Sequence, residues 1–314
     1  MDAPVDVSVI IVNWNTRDLL LAVIDSVRTT TQSARIEVIV VDNDSHDGSV
    51  AALRERHPDV TVISNPDNYG FARANNIGFR AAEGHAYCLV NTDVIALDGV
   101  IDTLWQFLET HPSAGAVGPE TLDGAGRLRR DVRRFPSLRN AAGDHLWLRR
   151  LLPRVFPGRS LPPQAYRSTR SVDVLPGSFL MVRRQAVTEV GPLDETFFFY
   201  GEDTDWAKRF HDAGWDCVYL PQARAIHLGG SSTAAAPVHY YLEIEKSDLR
   251  YWGKHHGRGA VAAYVAIRLV HNLVSVVAWS VVWLCRSDRR DSARLRVRGN
   301  VLNTVWLITR RTGA

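Results

Sequence analysis

Cysteine is scarce in this 314-residue chain. The three cysteines, Cys88, Cys217 and Cys285, are odd in number, far apart and never spaced as CxxC. That excludes a disulfide framework and a cysteine-built zinc site, and a reducing compartment is the expectation. No export signal is expected either: the sequence opens MDAPVDVSVIIVNW, with acids where an export signal needs lysine or arginine, and its short apolar run passes straight into a patterned domain. No glycine-rich turn follows that run, where NWNTRD stands instead, so a dinucleotide pyrophosphate has no backbone to approach there. Net charge is small as well. A formal +3 favours anionic partners only weakly, and no nucleic acid is expected among them.

What is present is a regular alternation. Residues 7–14 (VSVIIVNW), 36–42 (IEVIVVD), 60–64 (VTVIS) and 86–92 (AYCLVNT) are short, β-branched apolar runs that predict buried strands. Between them, helical spacing appears at Leu19, Leu20, Val23 and Val27, at Val50 and Leu53, and at Phe71, Ala74, Ile77 and Ala81. Alternating strand and helix predicts an α/β domain with a largely parallel sheet. Residues 120–170, rich in Arg, Pro and Gly, predict long loops. Order resumes at VDVLPGSFLMVRR (172–184), at FFFYGEDTDW with a helical pattern to about residue 213, and at the strand candidate DCVYLP. After Tyr240 the pattern is helical.

In parallel sheets, ligands collect at the carboxyl ends of the strands. Polar residues stand at those ends here: Asn13 and Asn15, Asp42 and Asn43, Asn91 and Asp93. The turn DNDSHDGS (42–49) puts Asp42 at a strand end and offers Ser45 or Asp47 as a helix cap. A carboxylate at that depth suits a pyrimidine, whose imide N–H it can accept. The segment NPDNYGFARANNIGF (65–79) has Gly70 ahead of a helix bearing Arg73, Asn76 and Arg80 on one face. Open amides at a helix N-terminus bind phosphate, and the double asparagine inside the helix calls for a ligand or loop contact. Asp93, facing a diphosphate, can hold Mg2+ or Mn2+, with phosphate oxygens and waters completing the shell.

The order of these motifs resembles family 2 glycosyltransferases of the GT-A fold, most closely the bacterial rhamnosyltransferase-like branch. The resemblance is carried by VSVIIVNWN (7–15), VVDNDSHDGS (40–49), NYGFARANNIG (68–78), NTD (91–93), GSFLMVRR (177–184), GPLDETFFFYGEDTDW (191–206) and His227, over about residues 5–235. It implies a nucleotide-diphospho-sugar transferase fold, a Rossmann-like mixed sheet flanked by helices, with a C-terminal helical extension. It further implies that Asn13, Asp42, Asn68, Gly70, Arg73, Asn76 and Asp93 bind the donor and that Asp93 and His227 bind the metal. Gly177, Glu202, Asp205 and Trp206 would line the acceptor side. Asp203 would be the catalytic base, its basicity raised by the aromatic run before it. Asn91 departs from the first acid of the family's DxD motif. The activity implied is inverting transfer of a sugar, foremost L-rhamnose from dTDP-rhamnose, to a lipid-linked saccharide in cell-envelope polysaccharide synthesis. A UDP-sugar-dependent galactofuranosyl- or hexosyltransferase and a non-catalytic saccharide-binding subunit are the rivals. The expected division is a catalytic domain over 1–235, with a nucleotide half to about 120 and an acceptor half over 121–235, then a membrane-associating extension over 236–314.

Residues 259–285 (GAVAAYVAIRLVHNLVSVVAWSVVWLC) are long enough to span a bilayer. Arg268, Asn272 and Ser275 interrupt the run as one stripe, which predicts an in-plane amphipathic helix. Trp279 and Trp283, followed by six arginines against two aspartates over 286–298, suit an anionic membrane surface. The expectation is a peripheral enzyme at the cytoplasmic face of the cell membrane. The same helix would also serve as a homo-oligomer interface, and the sequence leaves the two open.

Overall fold

A computed structural model describes residues 4–229 and 237–309. Strands β1 (Val7–Asn13), β2 (Ile36–Asn43), β3 (Thr61–Asn65) and β4 (Ala86–Asn91) run parallel in the order β3-β2-β1-β4. They are joined by α1 (Arg17–Thr30), α2 (Ser49–Arg56) and α3 (Gly70–Ala81). The two-residue period of a strand explains why these runs are apolar throughout. Val7, Val9 and Ile11 enter one core and Ile10 the other, just as Val38 and Val40 part from Ile39 and Val41. Helix α1 covers the first core with Leu20, Val23, Ile24 and Val27, spaced as one helical face. Helix α3 lies closely on the other face: a Cβ on Gly78 would stand 2.6 Å from the Ile10 side chain.

The sheet continues with β5 (Val94–Ala96), β6 (Ala114–Leu122), β7 (Arg170–Ser171), β8 (Phe179–Arg183) and β9 (Asp216–His227). Its order is β3-β2-β1-β4-β8-β6-β9-β5, with β7 on β9. Strand β8 is antiparallel to β4 and β6, and β5 is antiparallel to β9, so a parallel half passes into a mixed one. Helices α4 (Val100–Thr110), α6 (Arg184–Val190) and α7 (Glu202–Asp212) complete this part. The result is a mixed sheet flanked by helices.

The chain forms two compact units, one from the described residues of Met1–Phe135 and Ser160–Ser232, the other from those of Pro136–Arg159 and Thr233–Ala314. The boundary expected at 235/236 lies outside the described residues. Segment 136–159, expected as loop within the acceptor half, belongs to the second unit. It contains α5 (Leu138–His145), started by a capping box in which Ser137 and Asn140 exchange side-chain and backbone hydrogen bonds. Leu138 and Ala141 on this helix pack with Trp252 and Tyr264. Eight residues are too few for a helical period to stand out from Arg- and Pro-rich surroundings.

The second unit also contains α8 (Pro237–His255), α9 (Arg258–Cys285) and α10 (Arg290–Thr309). By length and composition, α9 is a helix apolar enough to cross a membrane. Its polar stripe is the surprise. Arg268, Asn272 and Ser275, expected to face headgroups, are buried. The Arg268 guanidinium donates to both carboxylate oxygens of Glu245 on α8, which is fully buried, and lies 2.8 Å from His145 Nδ1. Asn303 of α10 donates to the same carboxylate at 3.3 Å. The stripe turns inward because a carboxylate 23 positions upstream waits there.

A buried charge left alone costs more than the pair gains. Arg268→Met should therefore destabilise the protein by about 3–5 kcal/mol, while Arg268→Met with Glu245→Leu should recover most of that loss. Denaturant titration of both variants checks it, and equal losses would show that the pair is not the reason.

Candidate active site

Helix α3 carries the chain from β3 back across β2 and β1 to β4, so the loops after β1 and β4 leave in opposite directions. A crevice opens at such a switch point. Register puts Asn13 opposite Asp42, and the Asn13 amide donates to Asp42 Oδ1 at 2.7 Å and to Ser45 Oγ at 3.0 Å. The Ser45 N–H donates to Asp42 Oδ2 at 3.0 Å. Thr16 Oγ1 donates to Asn13 Oδ1 at 2.8 Å and lies 2.9 Å from Thr92 Oγ1, linking the end of β1 to the end of β4. Asn13, expected to touch the donor, is fully buried and instead orients Asp42. Each Asp42 oxygen keeps a lone pair free of these bonds. Asp47 accepts from the Arg17 and Ser49 N–H groups at 2.8 and 3.1 Å, capping the first residue of both α1 and α2.

Asp93 and His227 are brought together by β5, whose antiparallel register sets Val94 opposite His227. The Leu228 N–H donates to the Asp93 carbonyl at 2.9 Å, and His227 Nε2 lies 3.4 Å from Asp93 Oδ1. His227 Nδ1 is buried without a hydrogen-bond partner. Burial would raise the Asp93 carboxyl, but the bond and charge of His227, its own backbone and the charge of Arg129 together hold it below the usual range.

Arg129 escaped the sequence reading. Its Nη1 donates to the His227 carbonyl at 3.1 Å, and a hairpin positions it: Asp123 and Arg127 pair across a turn while Leu122 and Leu128 bridge. The signal was Asp-Gly-Ala-Gly (123–126) after an apolar run, a turn signature. On the same hairpin, Thr121 Oγ1 donates to Asp131 at 2.5 Å.

The Asn91 N–H donates to the Ser178 carbonyl at 2.9 Å, so the start of β8 arrives beside the end of β4. There the Gly177 N–H approaches Asp203 Oδ2 at 3.4 Å, while the Thr204 N–H donates to Asp203 Oδ1 at 2.6 Å. The other acids of α7 diverge. Asp205 is fully buried and accepts from Arg209 Nε at 2.9 Å; Arg209 also donates to the carbonyls of Val190, Gly191 and Pro192. Trp206 donates to the Gly191 carbonyl at 2.9 Å and stacks on Phe79. Both residues, expected on the acceptor side, are turned into the core to hold the turn before α7.

Glu202 is buried, with Oε2 unpartnered among the described residues. Burial, then the adjacent Asp203 charge, raises its carboxyl well above the usual range. The acid that burial desolvates in this turn is Glu202. Of the aromatic run, Phe197 enters the core while Phe198 and Tyr200 are exposed.

The helix expected to cradle phosphate is already occupied at its start. Asn68 Oδ1 accepts from the Gly70 N–H at 3.0 Å and from Asn43 Nδ2 at 3.2 Å, and the Phe71 N–H donates to the Phe198 carbonyl at 3.0 Å. Gly70 sits at φ +78°, where a Cβ would stand 2.4 Å from that same carbonyl. Asn76, expected to face the donor, is buried: it donates to the Leu193 carbonyl at 2.8 Å and accepts from the Leu193 N–H at 3.1 Å. A loop contact explains Asn76, while Asn75 donates to the Phe71 carbonyl of its own helix at 2.9 Å. Arg73 is half-exposed, stacked 3.9 Å over Tyr69. Among the described residues no group of three or more His, Cys, Asp or Glu forms a metal site by itself.

Because the folded protein holds the Glu202 proton more tightly than the unfolded chain does, Glu202 costs nothing below the ordinary carboxylate pKa. Stability is lost as pH rises from there toward the raised folded value. Glu202→Gln removes that ionisation. The wild type should therefore lose melting temperature relative to Glu202→Gln as pH is raised from about 4 to 8; parallel pH profiles would show that Glu202 ionises normally.

Two family models match: glycosyl transferase family 2 over residues 8–190, and glycosyl transferase family group 2 over residues 162–287. The chain is 32% identical over 236 residues to N-acetylglucosaminyl-diphospho-decaprenol L-rhamnosyltransferase of Mycobacterium tuberculosis, covering 70% of this chain and 76% of that one. It is 28% identical over 167 residues to rhamnosyltransferase WbbL of Escherichia coli, covering 51% and 61%. In fold it is similar to the mannosyltransferase PcManGT from Pyrobaculum calidifontis, solved in complex with GDP-Man and Mn2+. That likeness has a TM-score of 0.59 at 16% identity over 97% of this chain and 89% of that one. An α/β mixed sheet with its acids at the strand ends therefore meets both a sequence family and a GT-A fold class, and the chain belongs to glycosyl transferase family 2.

Proposed function

We propose that this glycosyltransferase moves L-rhamnose from dTDP-rhamnose to a lipid-linked saccharide, with inversion at the anomeric carbon, in cell-envelope polysaccharide synthesis at the cytoplasmic face of the membrane. The observation that carries the reading is the gathering of Asp42, the Asp93–His227 pair and Asp203 at one edge of the sheet, around the β1/β4 switch point. The M. tuberculosis and E. coli relatives, named as rhamnosyltransferases, favour that sugar, and the first of them is named for a decaprenol-linked acceptor.

In this reading Asp42, held by Asn13 and Ser45, accepts the imide N–H of the pyrimidine. Asp93 and His227 hold Mg2+ or Mn2+. The fit rests on a carboxylate kept ionised and a buried imidazole nitrogen without a partner, two protein donors being enough where a diphosphate and water supply the rest. When bound, the cation neutralises charge on the departing diphosphate. Asp203 takes the proton of the acceptor hydroxyl as its oxygen attacks the anomeric carbon opposite the breaking bond to phosphate. Gly177, whose N–H approaches Asp203 Oδ2 at 3.4 Å, packs its backbone against Phe71 and Asp203 on the acceptor side.

Among dTDP-, UDP- and GDP-sugars, dTDP-rhamnose should raise the melting temperature most; greater stabilisation by a UDP-sugar would select the hexosyl or galactofuranosyl rival. Asp203→Asn should lower turnover by about 10²- to 10⁴-fold with donor affinity nearly unchanged, and unaltered turnover would move the base elsewhere. Excess EDTA should abolish transfer and added Mn2+ restore it. Full turnover in chelator would remove the metal from the reaction.

A further inference from the structure

Helices α9 and α10 are joined through residues 286–289 into a hairpin, and α9 turns its polar residues inward and its apolar ones outward. The buried positions on α9 are Tyr264, Arg268, Asn272 and Ser275, and on α10 Ala293, Gly299, Asn303 and Leu307. Asn272 is fully buried with neither amide atom partnered among the described residues. Outside, Val270, Leu273, Val277, Val281 and Leu284 recur at helical spacing, with Leu273 and Leu284 each about two-thirds exposed at 66% and 65%. Near the end of α10, Val305 and Ile308 are exposed as well. A water-soluble helix pair has the reverse distribution, and a continuous apolar face of this kind marks an interaction surface.

We propose that this hairpin lies in the plane of an anionic bilayer, with the Val270–Leu284 face of α9 among the acyl chains and the arginines of 286–298 at the lipid phosphates. The inference deepens the reading of a lipid-linked acceptor and rests on it for its purpose, though not for its evidence. Charge names the occupant. Six arginines against two aspartates occupy residues 286–298, beside an apolar face that carries no acid. Arg296 sits 4.5 Å over the Trp279 ring, a pairing of guanidinium and indole suited to the headgroup level. The same contact settles orientation. It sets the arginine-rich half of α10 alongside the last turns of α9, so a hairpin inserted tip first would carry Arg294, Arg296 and Arg298 through the hydrocarbon, which is costly. Lying flat, α9 lowers its apolar face while the arginines stay at the surface. Arg268 needs no headgroup, because Glu245 already satisfies it.

The test is flotation of the full-length protein with phosphatidylcholine vesicles, with and without 30 mol% (about one third) phosphatidylglycerol. The wild type should float with the anionic vesicles and be released by high salt, since surface attraction decays within a Debye length. Arg286→Gln with Arg289→Gln and Arg290→Gln should weaken binding by about fivefold per arginine removed, the equivalent of the attraction of one arginine to such a surface. Leu273→Glu with Val277→Glu should abolish it while the protein stays folded by circular dichroism. Tryptophan fluorescence should be quenched by brominated acyl chains in the wild type, and less so in Trp283→Phe. Absence of flotation overturns the proposal. So does a dimer that Leu273→Glu with Val277→Glu splits, in a wild type that ignores vesicles: the face would then join two copies. Hydrolysis of dTDP-rhamnose, measured on the same preparations without vesicles, separates the two readings. Hydrolysis without flotation sinks the hairpin proposal alone, and flotation without hydrolysis sinks the catalytic one alone.

Discussion

The catalytic unit depends on one crossover. After β3 the chain does not extend the sheet at its edge but returns through α3 to place β4 on the far side of β1. The loops after β1 and β4 must then diverge, and the gap between them cannot be filled by another connection. The residues of the proposed site are arranged on the rim of that gap. Thr16 and Thr92 tie its two sides together. Strand β8, entering antiparallel, delivers Gly177 and Ser178 to the end of β4. Strand β9 runs on to His227 and, through the three residues of β5, meets Asp93. Acids and a histidine from distant parts of the chain thus share one edge with no adjacency in sequence.

That geometry explains what could be read in advance. The strand-end positions of Asp42 and Asp93 were legible because each follows an apolar run, and a strand end is a place as well as a composition. Asn13, Asn76, Asp205 and Trp206 looked equally functional, since they sit within a few positions of the crevice and carry polar or aromatic groups. In the structure each of them is held by a partner within the protein. Asn76 is claimed by Leu193, and Trp206 by Gly191. The first of these partners lies 117 positions away, and no local pattern announces it. Arg129 failed in the opposite direction: its own neighbourhood reads as an exposed loop, and only the carbonyl of His227, 98 positions on, gives it a place beside Asp93.

Three buried polar atoms without partners lie along the same edge. Ser178 Oγ, Glu202 Oε2 and His227 Nδ1 are buried without hydrogen bonds among the described residues. A folded interior rarely tolerates such groups, and where they persist the surrounding structure must hold them against their preference. Ser178 is tied through its carbonyl to Asn91, Glu202 opens α7 beside Asp203, and His227 ends β9 beside Asp93. The contrast with Asp205 is instructive. It is just as buried and one turn from Glu202, yet it has Arg209, so its charge stabilises the turn at 190–192. Burial alone therefore does not mark a site here.

The helical unit shows the limit of periodicity as evidence. Arg268, Asn272 and Ser275 fall on one face of α9, and the pattern establishes that its two faces differ. It carries no sign for which face meets water, lipid or protein, because a polar stripe is satisfied equally by headgroups or by a buried carboxylate. Glu245 supplies the sign. Once its charge is enclosed by α8, the guanidinium of Arg268 must turn toward it, since two separated buried charges would each bear the full cost of leaving water. Turning Arg268 inward rotates the whole helix, and Leu273, Val277 and Leu284 are thereby carried outward. The exposed apolar face is thus the geometric consequence of one ion pair.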